Sequence, residues 1–247
     1  MKLFKLIYSI IVWVCYLSIY LILFLPLVII YILTRPFDRY NKIPNYVFML
    51  IGRSILWMIP NLKVEILGVE HYNPGQSRIF IGNHQSFLDM PLLAALPWRM
   101  KWVSKDGLFK VPILGQIMAM SGHLSVKRGT TQALNSMKKL HPYLDAGIPV
   151  MMFPEGTRSR SGELLKFKGG AFMLSHDTKV PVQPILIQGT RNIIEPDSFL
   201  VQPNGRIVAS ILPPIYPGDY ESVGKFRDDV YKIMKTELEE LTKLLGE

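Results

Sequence analysis

An uncharged apolar run near the N-terminus constrains the fold of this chain more than any other feature. No charged residue lies among the 29 residues between Lys5 and Arg35, whereas a helix needs roughly 20 apolar residues to cross the hydrocarbon core of a bilayer. The run is too long for a signal peptide, and no small-residue cleavage pattern follows it. A helix in a soluble core would have a polar face, which this run lacks. The run therefore predicts membrane attachment.

The residues around this run leave its arrangement in the membrane open. A second apolar stretch occupies positions 43–60, and basic residues flank the first run on both sides: Lys2, Lys5, Arg35, Arg39 and Lys42. The positive-inside rule therefore gives no orientation. A transmembrane span fits, and so does a hairpin of two helices that enters one leaflet or lies at the interface. In either arrangement, residues 1–60 are predicted to form membrane-anchoring helices.

The charge of the chain favours anionic partners. Its formal net charge is +9, which would attract an anionic phospholipid surface, a nucleic acid or an acidic carrier protein. The sequence has no zinc-finger spacing, no basic-region helix and no RNA-binding motif of glycine and aromatic residues. We therefore expect the phospholipid bilayer to be a partner, and we expect no nucleic acid partner.

After Pro60, short apolar runs alternate with helical patterns. Strands are predicted at 62–67, 77–82, 122–126, 148–153, 182–189 and 206–212, and helices at 86–96, 130–145, 168–176 and 219–245. Strands separated by helices predict an α/β domain over residues 61–247, with a central, mostly parallel or mixed sheet flanked by helices. The last helix has a charged outer face, and we expect it to pack without taking part in chemistry.

The cysteine and histidine positions limit the possible chemistry. Cys15 is the only cysteine, and it lies inside the apolar run. This excludes an intramolecular disulfide and a cysteine-ligated zinc site, and it argues against a cysteine nucleophile in the main domain. The five histidines are scattered and form no HExxH motif, so we predict no catalytic metal. A single cysteine is also compatible with a domain that faces the cytosol.

The stretch IGNHQSFLD (81–89) places a histidine and an aspartate at the end of an apolar strand. With Ser86 as the N-cap of the following helix, His84 would lie in the loop and Asp89 in the first turn. The carboxylate could then hold one ring nitrogen, leaving the other to accept a proton near neutral pH. The same spacing also arises by chance in a chain with nine aspartates, so the pair alone is weak support for an enzyme.

A second polar loop follows the strand in IPVMMFPEGTRSRSG (148–162). Gly156 would permit close backbone approach, Thr157 offers a hydroxyl, and Arg158 could hold a phosphate with two parallel hydrogen bonds. Glu155 could orient Arg158 or accept a hydrogen bond from a substrate hydroxyl. A surface turn with a local ion pair would give the same pattern.

Together these loops resemble the glycerolipid acyltransferase family, most closely its 1-acylglycerol-3-phosphate acyltransferases. The family's NHxxxxD and FPEGTR motifs match as NHQSFLD and FPEGTR, about 70 residues apart. GHLSVKRG (122–129), with Arg128, is similar to the central block of the family. VPVQPILIQG (180–189) is similar to its last block. The resemblance covers about residues 78–190.

The resemblance implies that His84 acts as a general base on a glycerol hydroxyl while Asp89 holds its ring. The hydroxyl would attack an acyl thioester directly, without an acyl-enzyme. No cofactor is implied, and the thioester of acyl carrier protein or coenzyme A would be a co-substrate. The chain has no G-x-S-x-G elbow, which agrees with this route. Backbone N–H groups near the His84 loop are candidates for stabilising the oxyanion.

The resemblance also implies lysophosphatidic acid as the acceptor, phosphatidic acid as the product and a catalytic domain on the cytoplasmic face of a membrane. Arg158 is the first candidate for the phosphate, followed by Arg128 and Lys105, with Glu155, Gly156 and Thr157 shaping the pocket. Surface exposure would explain Lys105 and Arg128 equally well. The apolar stretch 108–120 is expected either to line an acyl-chain groove or to belong to the core.

Two alternatives to this function fit the same sequence. The acceptor could be glycerol-3-phosphate or another lysophospholipid. The chain could also be a non-catalytic membrane protein that binds or transfers lipid, because a basic surface and an apolar anchor need no catalysis.

Overall fold

The chain begins with two helices that pack against each other. The computed structural model describes residues 2–126 and 136–245. Helix α1 (Lys2–Thr34) contains Pro26 without ending there, and helix α2 (Lys42–Trp57) follows a short turn. In this turn, Asp38 accepts hydrogen bonds from the N–H groups of Lys42 and Ile43, at 2.8 and 2.7 Å. The carboxylate thus satisfies two of the free N–H groups at the start of α2.

Seven strands form one mixed sheet, which confirms the predicted α/β fold. They are β1 (Leu62–Leu67), β2 (Ile79–Gly82), β3 (Lys101–Lys105), β4 (Leu124–Val126), β5 (Val150–Met152), β6 (Val182–Gln188) and β7 (Gly205–Ile211). Their order across the sheet is β1-β7-β6-β2-β5-β3-β4. Only the β6–β7 pairing is antiparallel; the other five are parallel.

Helices cover both faces of the sheet. Within residues 2–126 and 136–245 they include α3 (Asp89–Ala95), α4 (Asp106–Phe109), α5 (Leu114–Met120) and later helices at His141–Asp145, Gly170–Thr178, Thr190–Ile193 and Val223–Leu245, with 3-10 turns at Val69–His71 and Pro217–Asp219. The sequence patterns missed β3, α4, α5 and the short helix at Thr190–Ile193. For α4 and α5, Gly107 and Pro112 made the segment resemble a connection. Part of the helix predicted at 130–145 lies outside the described residues.

Alternate residues of the central strands enter two hydrophobic cores, one on each face. On β2, Phe80 packs with the core that includes α1, α2 and α3, whereas Ile79 and Ile81 pack with the core under the C-terminal helix. This alternation is the two-residue period of a strand buried on both sides. Because α2 packs directly against α3, no gap separates the anchor region from the main domain. The boundary near residue 60 stays a prediction.

Three loops meet at one edge of the sheet. Strands β6, β2 and β5 are neighbours and run in the same direction, so their carboxyl ends open on the same side. The loops that leave Gly82, Met152 and Gln188 are therefore adjacent. This edge is the usual location of a ligand site in open α/β sheets.

A buried lysine joins the α1–α2 turn to the sheet. The side chain of Lys101, at the start of β3, is fully buried. Its Nζ donates to the carbonyl oxygens of Asn41 at 3.0 Å and Ser121 at 2.7 Å, and it lies 5.7 Å from the centre of the Tyr143 ring. Burial lowers the pKa of Lys101 from 10.5 to about 7; nearby Asp38 opposes this shift. A neutral amine still has two protons for the two carbonyl groups.

Replacing Lys101 by Met should change the pH dependence of stability. Between about pH 7 and 10.5, the unfolded chain binds more protons at this position than the folded chain. The free energy of unfolding should therefore rise with pH in this window, by up to about 1.4 kcal/mol per pH unit for one proton. Urea unfolding in detergent, followed by tryptophan fluorescence from pH 6.5 to 10.5, measures this slope. In Lys101→Met, the free energy of unfolding should lack the rise with pH that Lys101 contributes.

Lys105→Met is the matched control, because Lys105 lies on the same strand with its side chain exposed. It should keep the slope of the parent protein. An unchanged slope in Lys101→Met would show that Lys101 retains its proton in the folded protein across this pH range.

Candidate active site

A histidine and a buried carboxylate are in contact at this edge of the sheet. His84 lies in the loop after β2, and Asp89 is the first residue of α3. His84 Nδ1 is 2.8 Å from Asp89 Oδ2; the His84 side chain is 17% exposed and that of Asp89 is fully buried. The ring of His84 also stacks on Phe153, with centroids 4.1 Å apart. The imidazole is thus held by a carboxylate at its edge and by an aromatic ring on its face.

The Asp89 carboxylate accepts three further hydrogen bonds. The backbone N–H groups of Gln85 and Ser86 donate to Oδ2 at 2.7 and 2.8 Å. The hydroxyl of Thr190 donates to Oδ1 at 2.6 Å. A buried carboxylate needs such donors to offset its loss of hydration. The same carboxylate that contacts His84 therefore shapes the loop that carries it.

The predicted role of Ser86 as a helix N-cap is wrong. Helix α3 begins at Asp89, three residues later than expected. The Ser86 hydroxyl instead donates to the carbonyl oxygen of Ile194 at 2.7 Å and accepts the N–H of Leu88 at 3.2 Å. Phe87 and Leu88 form a turn between the histidine loop and the helix.

Side chains of the His84 loop are anchored on the end of β6. Asn83 donates from Nδ2 to the carbonyl oxygen of Ile187 at 2.8 Å and accepts the N–H of Ile187 at 2.7 Å. Gln85 Nε2 donates to the same carbonyl and to Gln188 Oε1. These amide contacts fix the loop to a central strand, so its position does not depend on solvent-exposed segments.

Glu155 binds the backbone of the site and does not pair with Arg158. One carboxylate oxygen accepts the N–H of His84 at 2.8 Å, and the other accepts the N–H of Leu165 at 2.9 Å. Burial raises the pKa of Glu155 to about 7, although the two N–H donors oppose this shift. The expectation that Glu155 orients Arg158 is therefore wrong. Glu155 instead links the FPEGTR loop to the His84 loop.

The backbone N–H groups of residues 84–86 already have acceptors. That of His84 binds Glu155, and those of Gln85 and Ser86 bind Asp89. The expectation that N–H groups here stabilise an oxyanion is therefore not met at these three positions. Their role in this structure is to hold the histidine loop in place.

Of the remaining residues of FPEGTR, Gly156 has a special backbone conformation, whereas Thr157 and Arg158 contact the cavity. Gly156 has φ +74°, a left-handed conformation that favours glycine, and a side chain there would collide with Lys168. Thr157 and Arg158 line the cavity that contains His84. Arg158 donates to Asp197 at 3.2 Å, and Arg160 binds the other oxygen of the same carboxylate at 2.9 Å. Two guanidinium groups thus already converge on one anion.

Two basic candidates remain less defined. Lys105 lies at the end of β3 and lines the same cavity as His84, with its side chain exposed. Arg128 lies outside the described residues. Their assignment to a phosphate site stays a prediction.

An apolar cavity of about 620 Å³ opens beside His84, a size typical of small-molecule sites. Aromatic residues of α1, α2 and the histidine loop line it, together with the α4–α5 segment: Trp13, Tyr16, Phe48, Phe87, Leu108, Ile113 and Leu114. The stretch 108–120 contributes both to this cavity and to the core, and a role in binding an acyl chain stays a prediction. Leu108 and Ile113 line the cavity, whereas Ile117 is fully buried in the core.

The described ranges contain no cluster of three or more His, Cys, Asp or Glu side chains arranged to hold a metal ion. Metal-independent chemistry stays a prediction.

Inspection of the sequence missed three residues of this site. Thr190 and Asp197 are more than 100 residues away from His84 along the chain, and Phe153 is the first residue of FPEGTR but had no predicted role. The one available signal is positional: Thr190 follows Gly189 directly after an apolar strand, where polar residues often face a site.

Comparisons with known proteins identify the family of this chain. A family model described as Acyltransferase matches residues 63–188. The 1-acyl-sn-glycerol-3-phosphate acyltransferase BAT2, chloroplastic, of Brassica napus is 35% identical over 182 residues, which are 73% of this chain and 53% of that protein. The 1-acyl-sn-glycerol-3-phosphate acyltransferase of Limnanthes douglasii is 32% identical over 210 residues, covering 84% and 73%. This chain thus spans about half the length of the Brassica relative.

A solved structure has the same fold. The crystal structure of the 1-acyl-sn-glycerophosphate (LPA) acyltransferase PlsC from Thermotoga maritima aligns with a TM-score of 0.80 at 24% identity, covering 96% of this chain and 98% of that one. The acyltransferase family model matches half of this chain, and this chain covers more than two thirds of the length of the Limnanthes relative. The chain therefore belongs to the acyltransferase family.

Proposed function

We propose that this protein transfers a fatty acyl group from a thioester to the free sn-2 hydroxyl of 1-acyl-glycerol-3-phosphate, giving phosphatidic acid. The observation that carries the proposal is the 2.8 Å contact between His84 Nδ1 and Asp89 Oδ2 at the wall of an apolar cavity. The names of the Brassica and Limnanthes relatives support this choice of acceptor. The donor is the thioester of acyl carrier protein or coenzyme A, and no resident cofactor takes part.

The reaction needs one base and no acyl-enzyme. With Nδ1 donating to Asp89, His84 Nε2 accepts the proton of the glycerol hydroxyl as its oxygen attacks the thioester carbonyl carbon. The C–S bond then breaks, and the departing thiolate takes the proton back from His84. Asp89 stabilises the imidazolium that exists between these two proton transfers. The acyl chain lies in the apolar cavity.

The acceptor phosphate binds at Arg158, with Thr157 beside it and Lys105 and Arg128 contributing charge. Arg158 lines the same cavity as His84, so one molecule can reach both groups. Asp197 now supplies the anion that Arg158 binds. A phosphate monoester brings oxygens of the same kind and higher charge, and it would take the place of this carboxylate.

Helix α1 supports the proposed membrane association. This helix has a mean hydropathy of 2.6 over its most apolar 18 residues, of which 11% are buried. At about 1.5 Å per residue, its length exceeds the thickness of a hydrocarbon core of about 30 Å. We propose that residues 1–60 anchor the chain to the membrane, as a span, a one-leaflet hairpin or an interfacial helix pair, with the catalytic domain on the cytoplasmic face.

The first test is thiol release in the parent protein and in His84→Ala. With palmitoyl thioester and lysophosphatidic acid, His84→Ala should lower kcat by about 10²–10⁴, the usual contribution of a general base. Asp89→Asn should also lower kcat, because the ring loses the carboxylate that holds it. Without acceptor, the parent should release no stoichiometric burst of thiol, since no acyl-enzyme forms.

His176→Ala is the matched control for His84→Ala, since His176 is 49% exposed on another helix. It should keep the parent kcat. Retained activity in His84→Ala would rule out the base assignment. Lipid binding without thiol release, with both donor types and with glycerol-3-phosphate also tested, would favour the lipid-binding alternative.

Replacing Arg158 by Ala should weaken acceptor binding. Loss of a charge-assisted contact to phosphate costs about 1.5–3 kcal/mol, so KM for lysophosphatidic acid should rise about tenfold or more while kcat changes less. Steady-state kinetics with varied acceptor measures both constants. Arg206→Ala is the control, because Arg206 pairs with Glu65 elsewhere and is similarly exposed, at 41% against 36%. An unchanged KM in Arg158→Ala would remove Arg158 from the phosphate site.

The single cysteine offers a direct test of membrane insertion. Cys15 is exposed on α1, so a fluorescent maleimide attached to it should be quenched by lipids brominated on their acyl chains. The double variant Cys15→Ser/Lys63→Cys moves the label to an exposed position on β1 and should show little quenching. Equal, weak quenching at both positions would contradict insertion of α1.

A further inference from the structure

We infer that Thr190 is a positioning residue of the His84–Asp89 pair, an inference that rests on the proposed acyl transfer. Its hydroxyl donates to Asp89 Oδ1 at 2.6 Å, and both residues are fully buried. Nothing in the NHxxxxD or FPEGTR motifs includes this position. Thr190 is not among the residues that line the cavity, and its hydroxyl donates to Asp89, so we expect its effect on the reaction to pass through Asp89.

The division of donors between the two carboxylate oxygens gives Thr190 a distinct task. Oδ2 receives three hydrogen bonds, from the His84 ring and from the N–H groups of Gln85 and Ser86. Within residues 2–126 and 136–245, Thr190 is the donor found at Oδ1. Because a carboxylate rotates about its bond to Cβ, a donor at Oδ1 fixes the direction in which Oδ2 points. Thr190 therefore sets the angle at which Asp89 holds the histidine.

The backbone around Thr190 is itself firmly held. Gly189 has φ +87°, and a side chain there would collide with the carbonyl oxygen of Arg206 on β7. This close approach turns the chain sharply from β6 toward the site. The neighbouring residues on both sides, Ile187 and Ile194, bind the histidine loop through Asn83 and Ser86. The Thr190 hydroxyl therefore lies on a segment that is hydrogen-bonded to the histidine loop.

Positioning makes a different prediction from simple packing. A packing role depends on the volume of Thr190, which Val reproduces and Ser reduces. A positioning role depends on the hydroxyl, which Ser keeps and Val lacks. Thr190→Val leaves Oδ1 buried without its donor, so the carboxylate can rotate away from the histidine. Thr190→Ser retains the donor and loses only a methyl group.

The kinetic experiment compares these variants in detergent with palmitoyl thioester and lysophosphatidic acid. Thr190→Val should lower kcat about tenfold or more, with KM for the acceptor within about twofold of the parent, as expected when a supporting partner of a reacting group is lost. Thr190→Ser should recover most of the parent kcat. Thr178→Val is the control, since its hydroxyl bonds the carbonyl oxygen of Leu174 in another helix, and it should match the parent.

A spectroscopic experiment reads the position of the histidine without turnover. In protein labelled with ¹⁵N-histidine at a pH where the ring is neutral, the His84 signals are assigned by their loss in His84→Ala. The parent and Thr190→Ser should show one tautomer, protonated at Nδ1. Thr190→Val should show ring shifts moved toward a mixture of tautomers. Thermal unfolding of each variant confirms that it is folded.

The outcomes separate this inference from the proposed function. Parent-like kcat in Thr190→Val, in a protein whose His84→Ala variant is inactive, overturns the role of Thr190 and leaves acyl transfer standing. If the parent shows no acyl transfer at all, the proposed function fails and the spectrum decides positioning. A change in tautomer in Thr190→Val but not in Thr190→Ser then supports it, and identical spectra overturn it.

Discussion

The buried carboxylate of Asp89 is the interaction on which the rest of the site depends. A carboxylate without exposure to water is unfavourable unless donors surround it, and here four donors do so from two separate parts of the chain. To give the Asp89 carboxylate its hydrogen bonds, the loop at 84–86 must fold around it, and residue 190 must lie beside it at the end of β6. The position of the histidine is a consequence of this local balance of charge and hydrogen bonds.

The sheet topology makes this balance possible. The β6-β2-β5 order brings together three loops that are separated by about 70 and 35 residues in the chain. Each loop supplies a different part: the first carries the histidine and aspartate, the second supplies Glu155 beneath the His84 N–H, and the third supplies Thr190. Because the strands are parallel and buried on both faces, the relative heights of these loops are set by the sheet.

Local patterns in the sequence predicted much of this arrangement, and long-range contacts account for what they missed. The ends of the strands before His84 and Glu155 could be predicted because a short apolar run stops at a polar loop in each place. From the first of these strand ends we predicted His84 in the loop and Asp89 in the first turn of the next helix. Ser86 was wrongly predicted as a cap: its hydroxyl instead donates to Ile194, more than 100 residues away in the chain. The burial of Lys101 and the partners of Glu155 and Arg158 depend on residues distant in sequence, and no local pattern encodes them.

The hydrogen-bond partners of His84 come from the loops at the sheet edge, and the cavity beside it is mostly apolar. Hydrocarbon groups cannot donate or accept hydrogen bonds, so the polar atoms of the site need partners within the loops. Asp89 binds the ring of His84, Glu155 binds its backbone N–H, and Phe153 stacks on the ring. One imidazole nitrogen is thereby committed to Asp89. In the proposed reaction, a substrate hydroxyl beside His84 would meet the other ring nitrogen as its proton acceptor, in a cavity whose lining is mostly apolar.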